Sequence, residues 1–88
     1  MSGDSGGKPI PTHHSQVIGK GIRAVRERRG LTLEHVAERT DLTRSQLTEI
    51  EAGRDDYSVQ VLERIATALN LSVVHLIGFA YGLGSIAD

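Results

Sequence analysis

Apolar residues return every three or four positions through most of this chain, which is the repeat of an α-helix. Ile18, Ile22 and Val25 make one stripe and predict a first helix from about Gln16 or Val17 to Arg29, with Ser15 as N-cap and Gly30 as stop. Thr32 opens a second helix with Leu33, Val36 and Ala37 inward, ending near Thr40; His35 stands where a capping box has Glu. After a short turn at Thr40-Asp41-Leu42, Thr43 caps a third helix, with Gln46 as its reciprocal partner and Gly53 just beyond its end. Ser58 starts a fourth, in which Val59, Leu62, Ile65, Ala66 and Leu69 follow the period until Asn70, and Ser72 starts a fifth with Val73, Leu76 and Ile77. No segment alternates with period two over a useful length, so the pattern predicts an all-α bundle of five short helices.

The third helix has two unlike faces. In "LTRSQLTEIEAGR", Leu42 to Arg54, a helical winding turns Leu47 and Ile50 to one side and Arg44, Ser45, Thr48 and Glu49 to the other. Two helices joined by about four residues let the first lie across a DNA backbone while the second projects its N-terminal half into the major groove. The second and third helices have that order.

Composition narrows the alternatives. Eighty-eight residues suffice for one small domain and argue against a two-walled active-site cleft. The absence of cysteine removes a disulfide framework, a zinc ribbon and a thiol nucleophile. Tyr57, Phe79 and Tyr81 are too few aromatics for a platform that stacks single-stranded bases. No Ser-His-Asp set with plausible context and no Gly-rich phosphate loop before a lysine is present, and His35 and His75 fall at surface-leaning positions, so no enzyme is expected. No apolar run approaches the roughly 20 residues of a membrane span, and the N-terminus lacks a secretory pattern. A cytoplasmic protein is expected, with no membrane partner.

Ten Lys/Arg against eleven Asp/Glu give a formal charge of −1, which does not by itself advertise a polyanion partner. The distribution is less even, because Lys20, Arg23, Arg26, Arg28 and Arg29 crowd the first helix. Residues 1–14, with Gly3, Gly6, Gly7, Pro9 and Pro11, have almost nothing to bury and read as a disordered tail. His13 and His14 within it lack a further ligand at useful spacing, so no metal or other cofactor is expected. The domain proper is expected over 15–78. The extension 79–88 carries Phe79, Tyr81, Leu83 and Ile86, too apolar for a solvated tail, as either a dimer contact or a flap on its own core.

From Ile18 to Ile77, "IGKGIRAVRERRGLTLEHVAERTDLTRSQLTEIEAGRDDYSVQVLERIATALNLSVVHLI" resembles the phage-repressor and Cro-like helix-turn-helix domain of bacterial and phage regulators, over about two-thirds of the chain. The resemblance rests on "IRAVRERRGLT", on Ala37 where the hairpin helices approach, on "LTRSQLTEIEAGR" and on "LERIATALNLS". It implies a lambda-repressor-like fold and a DNA-binding transcriptional regulator, expected to be a repressor, with residues of about 43–52 as the recognition helix. Arg44, Ser45 and Glu49 would face base edges, with Thr48 between them touching a thymine methyl or a phosphate. Thr43, Gln46 and Arg54 would meet the sugar-phosphate backbone. Arg26 would supply the partner that the inward-leaning Glu51 needs.

The sequence also departs from the family. Leu33 replaces a glutamine that meets a phosphate, Asp41 stands where glycine is common, and Asp55-Asp56-Tyr57 replaces a frequent proline. Acids near the groove imply low affinity per monomer, and hence a homodimer on an inverted repeat of double-stranded DNA. The competing expectation is a protein-interaction module, such as the antitoxin of a toxin-antitoxin pair or a coactivator-type bridging domain. Its binding would survive high salt.

Overall fold

A computed structural model describes residues 9–86 and contains α1 (Thr12–Arg28), α2 (Leu33–Thr40), α3 (Arg44–Glu51), α4 (Val59–Ala68) and α5 (Val73–Ala80). Among the described residues there is no strand, and the one isolated bridge joins Pro9 to Ser58. Helix α1 is the spine, packed on α3 and α5; α2 packs on α3 and α4, and α4 on α5. Ile18, Ile22, Val25, Val36, Leu47, Ile50, Leu62, Ile65, Leu69 and Leu76 meet in one buried core. Val59, which fits the apolar period of α4, is instead 49% exposed. No single described helix is long and apolar enough to cross a membrane.

Caps set the helix ends much as their residue types dictate. Thr32 accepts from the His35 backbone N–H at 3.1 Å, and His35 Nδ1 accepts from the Thr32 N–H at 3.3 Å, so imidazole completes the box in place of a carboxylate. Ser58 and Ser72 cap α4 and α5. Asp41 takes the left-handed conformation (φ 62°) that its short polar side chain tolerates, ending α2 without glycine.

Helix α1 begins earlier than the sequence predicts. Pro11 is its N-cap residue and Thr12 its first turn, while Ser15 lies inside, fully buried, with its hydroxyl donating to the Thr12 carbonyl at 2.9 Å. Residues 9–14 therefore belong to the fold, in contrast to the expected disordered tail; its residues 1–8, and residues 87 and 88 of the extension, lie outside the described residues. The reason is tertiary. The Ile10 N–H donates to the Tyr57 carbonyl at 2.8 Å, the Tyr57 hydroxyl donates to the Ser15 carbonyl at 3.0 Å, and His14 Nδ1 meets the Tyr81 hydroxyl. Tyr57, only 4% exposed, thus replaces a proline before α4 with an anchor for the first turn of α1.

Burial pushes the Tyr57 phenol above its ordinary value of 10.0. The folded state favours the neutral phenol, so this group's stabilisation is complete below pH 10 and declines as pH rises beyond it. Tyr57→Phe is expected to cost about 1 kcal/mol near neutrality and to flatten the alkaline loss of stability, as read by denaturant melts between about pH 9 and 11. Equal alkaline losses in both proteins would show that Tyr57 is not the titrating anchor.

The C-terminal apolar residues divide. Ile86 is 4% exposed in the chain's own core and Phe79 packs partly against that core, whereas Tyr81 is 38% and Leu83 is 84% exposed. The last turn of α5 closes on Gly82 (φ 76°), with the Leu83 N–H donating to the Gly78 carbonyl at 2.8 Å. His75 Nε2 reaches the Ser85 carbonyl at 2.6 Å, so the segment after α5 folds back.

Candidate nucleic-acid interface

The two faces of α3 have opposite fates. Leu47, Ile50 and Glu51 are buried, while Arg44, Ser45, Gln46 and Thr48 are exposed and Glu49 is partly so. Thr43 and Gln46 form a reciprocal cap: Thr43 Oγ1 accepts from the Gln46 N–H at 3.0 Å and Gln46 Oε1 accepts from the Thr43 N–H at 2.8 Å. With Oε1 engaged, Gln46 has its Nε2 hydrogens to offer an anion, and the free N–H groups of the first turn suit the same partner. Thr48 donates its hydroxyl to the Arg44 carbonyl at 2.9 Å. Its methyl group and its remaining acceptor are what it can present to a partner.

The buried side of α3 is fastened to α1. Arg26 Nε and Nη2 donate to Glu51 Oε2 and Oε1 at 2.7 and 3.0 Å, and Arg26 Nη1 donates to the Leu31 carbonyl at 2.9 Å. The side chains are 12% and 7% exposed, and the hydrogen bond to Glu51 raises the Arg26 guanidinium above its ordinary value. The same crossing is the closest approach at any of the described glycines: a Cβ on Gly19 of α1 would lie 2.3 Å from the Ile50 carbonyl oxygen. A paired charge and a missing side chain together set how α3 stands on the spine.

The exposed arginines of this region each meet a carboxylate. Arg54, just past α3, holds Glu49 at 3.1 and 2.9 Å, and this contact lowers the Glu49 carboxyl below its ordinary value and raises Arg54. Two residues expected to have separate duties, base reading and backbone contact, are thus brought together. Arg44 Nη1 lies 2.8 Å from Glu34 Oε2 of α2. Glu34 is absent from the sequence-level site; an acid in the first turn of α2, in a hairpin that sets that turn beside the start of α3, is the signal that could have found it.

The basic cluster of α1 does not form one free patch. Arg26 is committed to Glu51, Arg23 pairs with Glu27 at 3.1 Å, and Arg29 donates to the Leu69 carbonyl. Two further arginines link helices: Arg39 of α2 donates to the Ala68 carbonyl at 3.2 Å, and Arg64 of α4 donates to the Thr40 carbonyl at 2.6 Å. Asp55 and Asp56 line a shallow groove beside Gln46 and add negative charge at the edge of the α3 face. Among the described residues no group of three or more His, Asp or Glu could hold a metal ion.

Comparison with known proteins bears on the fold and the family. Residues 18–76 match a family described as a helix-turn-helix domain. The immunity repressor protein of Bacillus phage phi105 is 39% identical over 61 residues, covering 69% of this chain and 42% of that protein. The chain spans about half the length of the first curated relatives it matches. Among solved structures, the clp gene regulator ClgR from C. glutamicum superposes with a TM-score of 0.75 at 28% identity, covering 91% of this chain and 100% of that one. A tetramer of the restriction-modification controller protein C.Esp1396I, in complex with its natural 35 base-pair operator, has the same fold, with a TM-score of 0.73, 23% identity and coverage of 80% and 92%.

Proposed function

We propose that this chain, which belongs to the helix-turn-helix domain family, binds double-stranded DNA sequence-specifically as a transcriptional repressor in the cytoplasm, as a homodimer on an inverted repeat. The observation that carries this reading is the outer face of α3: Arg44, Ser45 and Thr48 are exposed beside the first turn while Leu47 and Ile50 hold the same helix to the core. Arginine can pair bidentately with guanine, and serine can donate or accept at a base edge. The Thr43 and Gln46 cap supplies neutral donors for a phosphate, and Arg54 a cation.

Repression is supported by the name of the phage relative, and DNA as partner by the operator complex of a protein with this fold. A net charge of −1, with Asp55 and Asp56 beside the face, leaves one domain few favourable phosphate contacts, which supports two copies acting together. Among the described residues of the extension, Tyr81 and Leu83, exposed just beyond α5, are large apolar side chains available to such a contact, while Ile86 serves its own core.

Selection of bound sequences from a random DNA pool tests the reading: enrichment of an inverted repeat is expected, and a pool that never departs from random would refute it. Arg44→Ala should then cost on the order of 1–3 kcal/mol on the selected site and relax preference at one base pair of each half-site. If its ratio of specific to scrambled binding matches the parent protein, Arg44 does not read a base.

A further inference from the structure

We propose that Glu34 is a positioning residue for Arg44, fixing the guanidinium so that it reads a base instead of wandering among phosphates. This rests on the DNA-reading role of α3 argued above. The ion pair joins the first turns of two helices, with Arg44 Nη1 2.8 Å from Glu34 Oε2, and both side chains are more than half exposed, at 67% and 57%. An exposed pair of this kind contributes little to folding.

Three features point to positioning. Arg44 is the first residue of α3, where the positive end of the helix dipole disfavours a cation, and the Glu34 charge offsets that penalty. Glu34, in the first turn of α2, is itself favoured by its own helix dipole, so it is a stable anchor. The carboxylate reaches the guanidinium at Nη1, and the opposite edge, Nε with Nη2, is one of the two forks that can span O6 and N7 of a guanine. A flexible arginine loses rotamer freedom when it docks on a base, whereas one held beforehand loses less. Part of its charge is also neutralised, which weakens contacts that any sequence would offer.

The test compares the parent protein with Glu34→Gln, Glu34→Ala, Arg44→Ala and the Glu34→Gln/Arg44→Ala double variant, on the selected site, on single base-pair substitutions of it and on scrambled DNA. Both Glu34 variants should lower discrimination by about 2- to 5-fold, the most that so exposed a pair can contribute by holding the side chain beforehand, at the same base pair that Arg44→Ala relaxes. In the Arg44→Ala background, Glu34→Gln should change nothing at that position, and the melting temperature of each Glu34 variant should stay near the parent value. If the Glu34 variants tighten binding to selected and scrambled DNA alike with base preference intact, Glu34 is only a repulsive charge and the proposal fails while the DNA-binding reading stands. If the parent protein enriches no sequence at all, both fail together.

Discussion

Glu51→Ala is expected to lower folding stability by on the order of 3–5 kcal/mol, because it leaves the guanidinium of Arg26 in a site where that side chain is only 12% exposed. The Leu31 carbonyl remains as one acceptor for a group that had three bonds. A loss of that size is a large share of the stability of a small domain, and a fall in Tm of at least about 12 °C should be visible by circular dichroism. The companion variant replaces both partners, Arg26→Met with Glu51→Leu, and should recover most of the loss, since an apolar pair of similar volume avoids the uncompensated charge. A Glu51→Ala protein that melts with the parent would show that the guanidinium finds water there without distortion. Because the pair ties the last turn of α3 to α1, the DNA selectivity proposed above should decline before unfolding is complete.

Gly19→Ala should be the second severe change. A methyl group there would stand 2.3 Å from the Ile50 carbonyl oxygen, and the obstacle is backbone, so no rotamer change relieves it. Overpacking typically costs about 1–3 kcal/mol, and a clash with a helix backbone belongs at or above the top of that range. Alanine is the better helix former by up to about 1 kcal/mol, so local propensity alone predicts the opposite sign. Denaturant melts decide between them: a more stable Gly19→Ala protein would mean that α1 and α3 separate freely. At Gly21 a Cβ would come within 2.7 Å of the Ala80 Cβ and 3.1 Å of its Cα, and an alanine methyl has no rotamer by which to move aside, so Gly21→Ala should be destabilising as well.

Much of this architecture is legible in the sequence because the helix boundaries are written in local chemistry. Thr32, Thr43, Ser58 and Ser72 all cap where their type suggests, and the apolar period of α1 to α4 identifies most of the core. The start of α1 was not legible, since nothing local in Pro11-Thr12-His13-His14 announces a helix; the turn is held by Tyr57, more than forty residues away. Val59 misled for a related reason, because period identifies a stripe but not whether another element covers its end. At the candidate interface, periodicity separates the outer residues of α3 from the inner ones. The pairing of Glu34 with Arg44 depends on how two helix termini are juxtaposed, and that of Glu49 with Arg54 on how the chain turns back after α3 at Gly53; neither follows from period or capping.

Arg39 and Arg64 bind α2 and α4 reciprocally: each helix sends a guanidinium to a carbonyl at the C-terminal end of the other, Ala68 in one direction and Thr40 in the other. Terminal turns ordinarily fray because their last carbonyls lack partners. Here fraying of either helix would release a bond that the other also needs, so local opening becomes a joint event. Helices α2 and α4 accordingly open as one cooperative unit, so that, in the DNA-binding mode proposed above, α2 borrows its rigidity from α4.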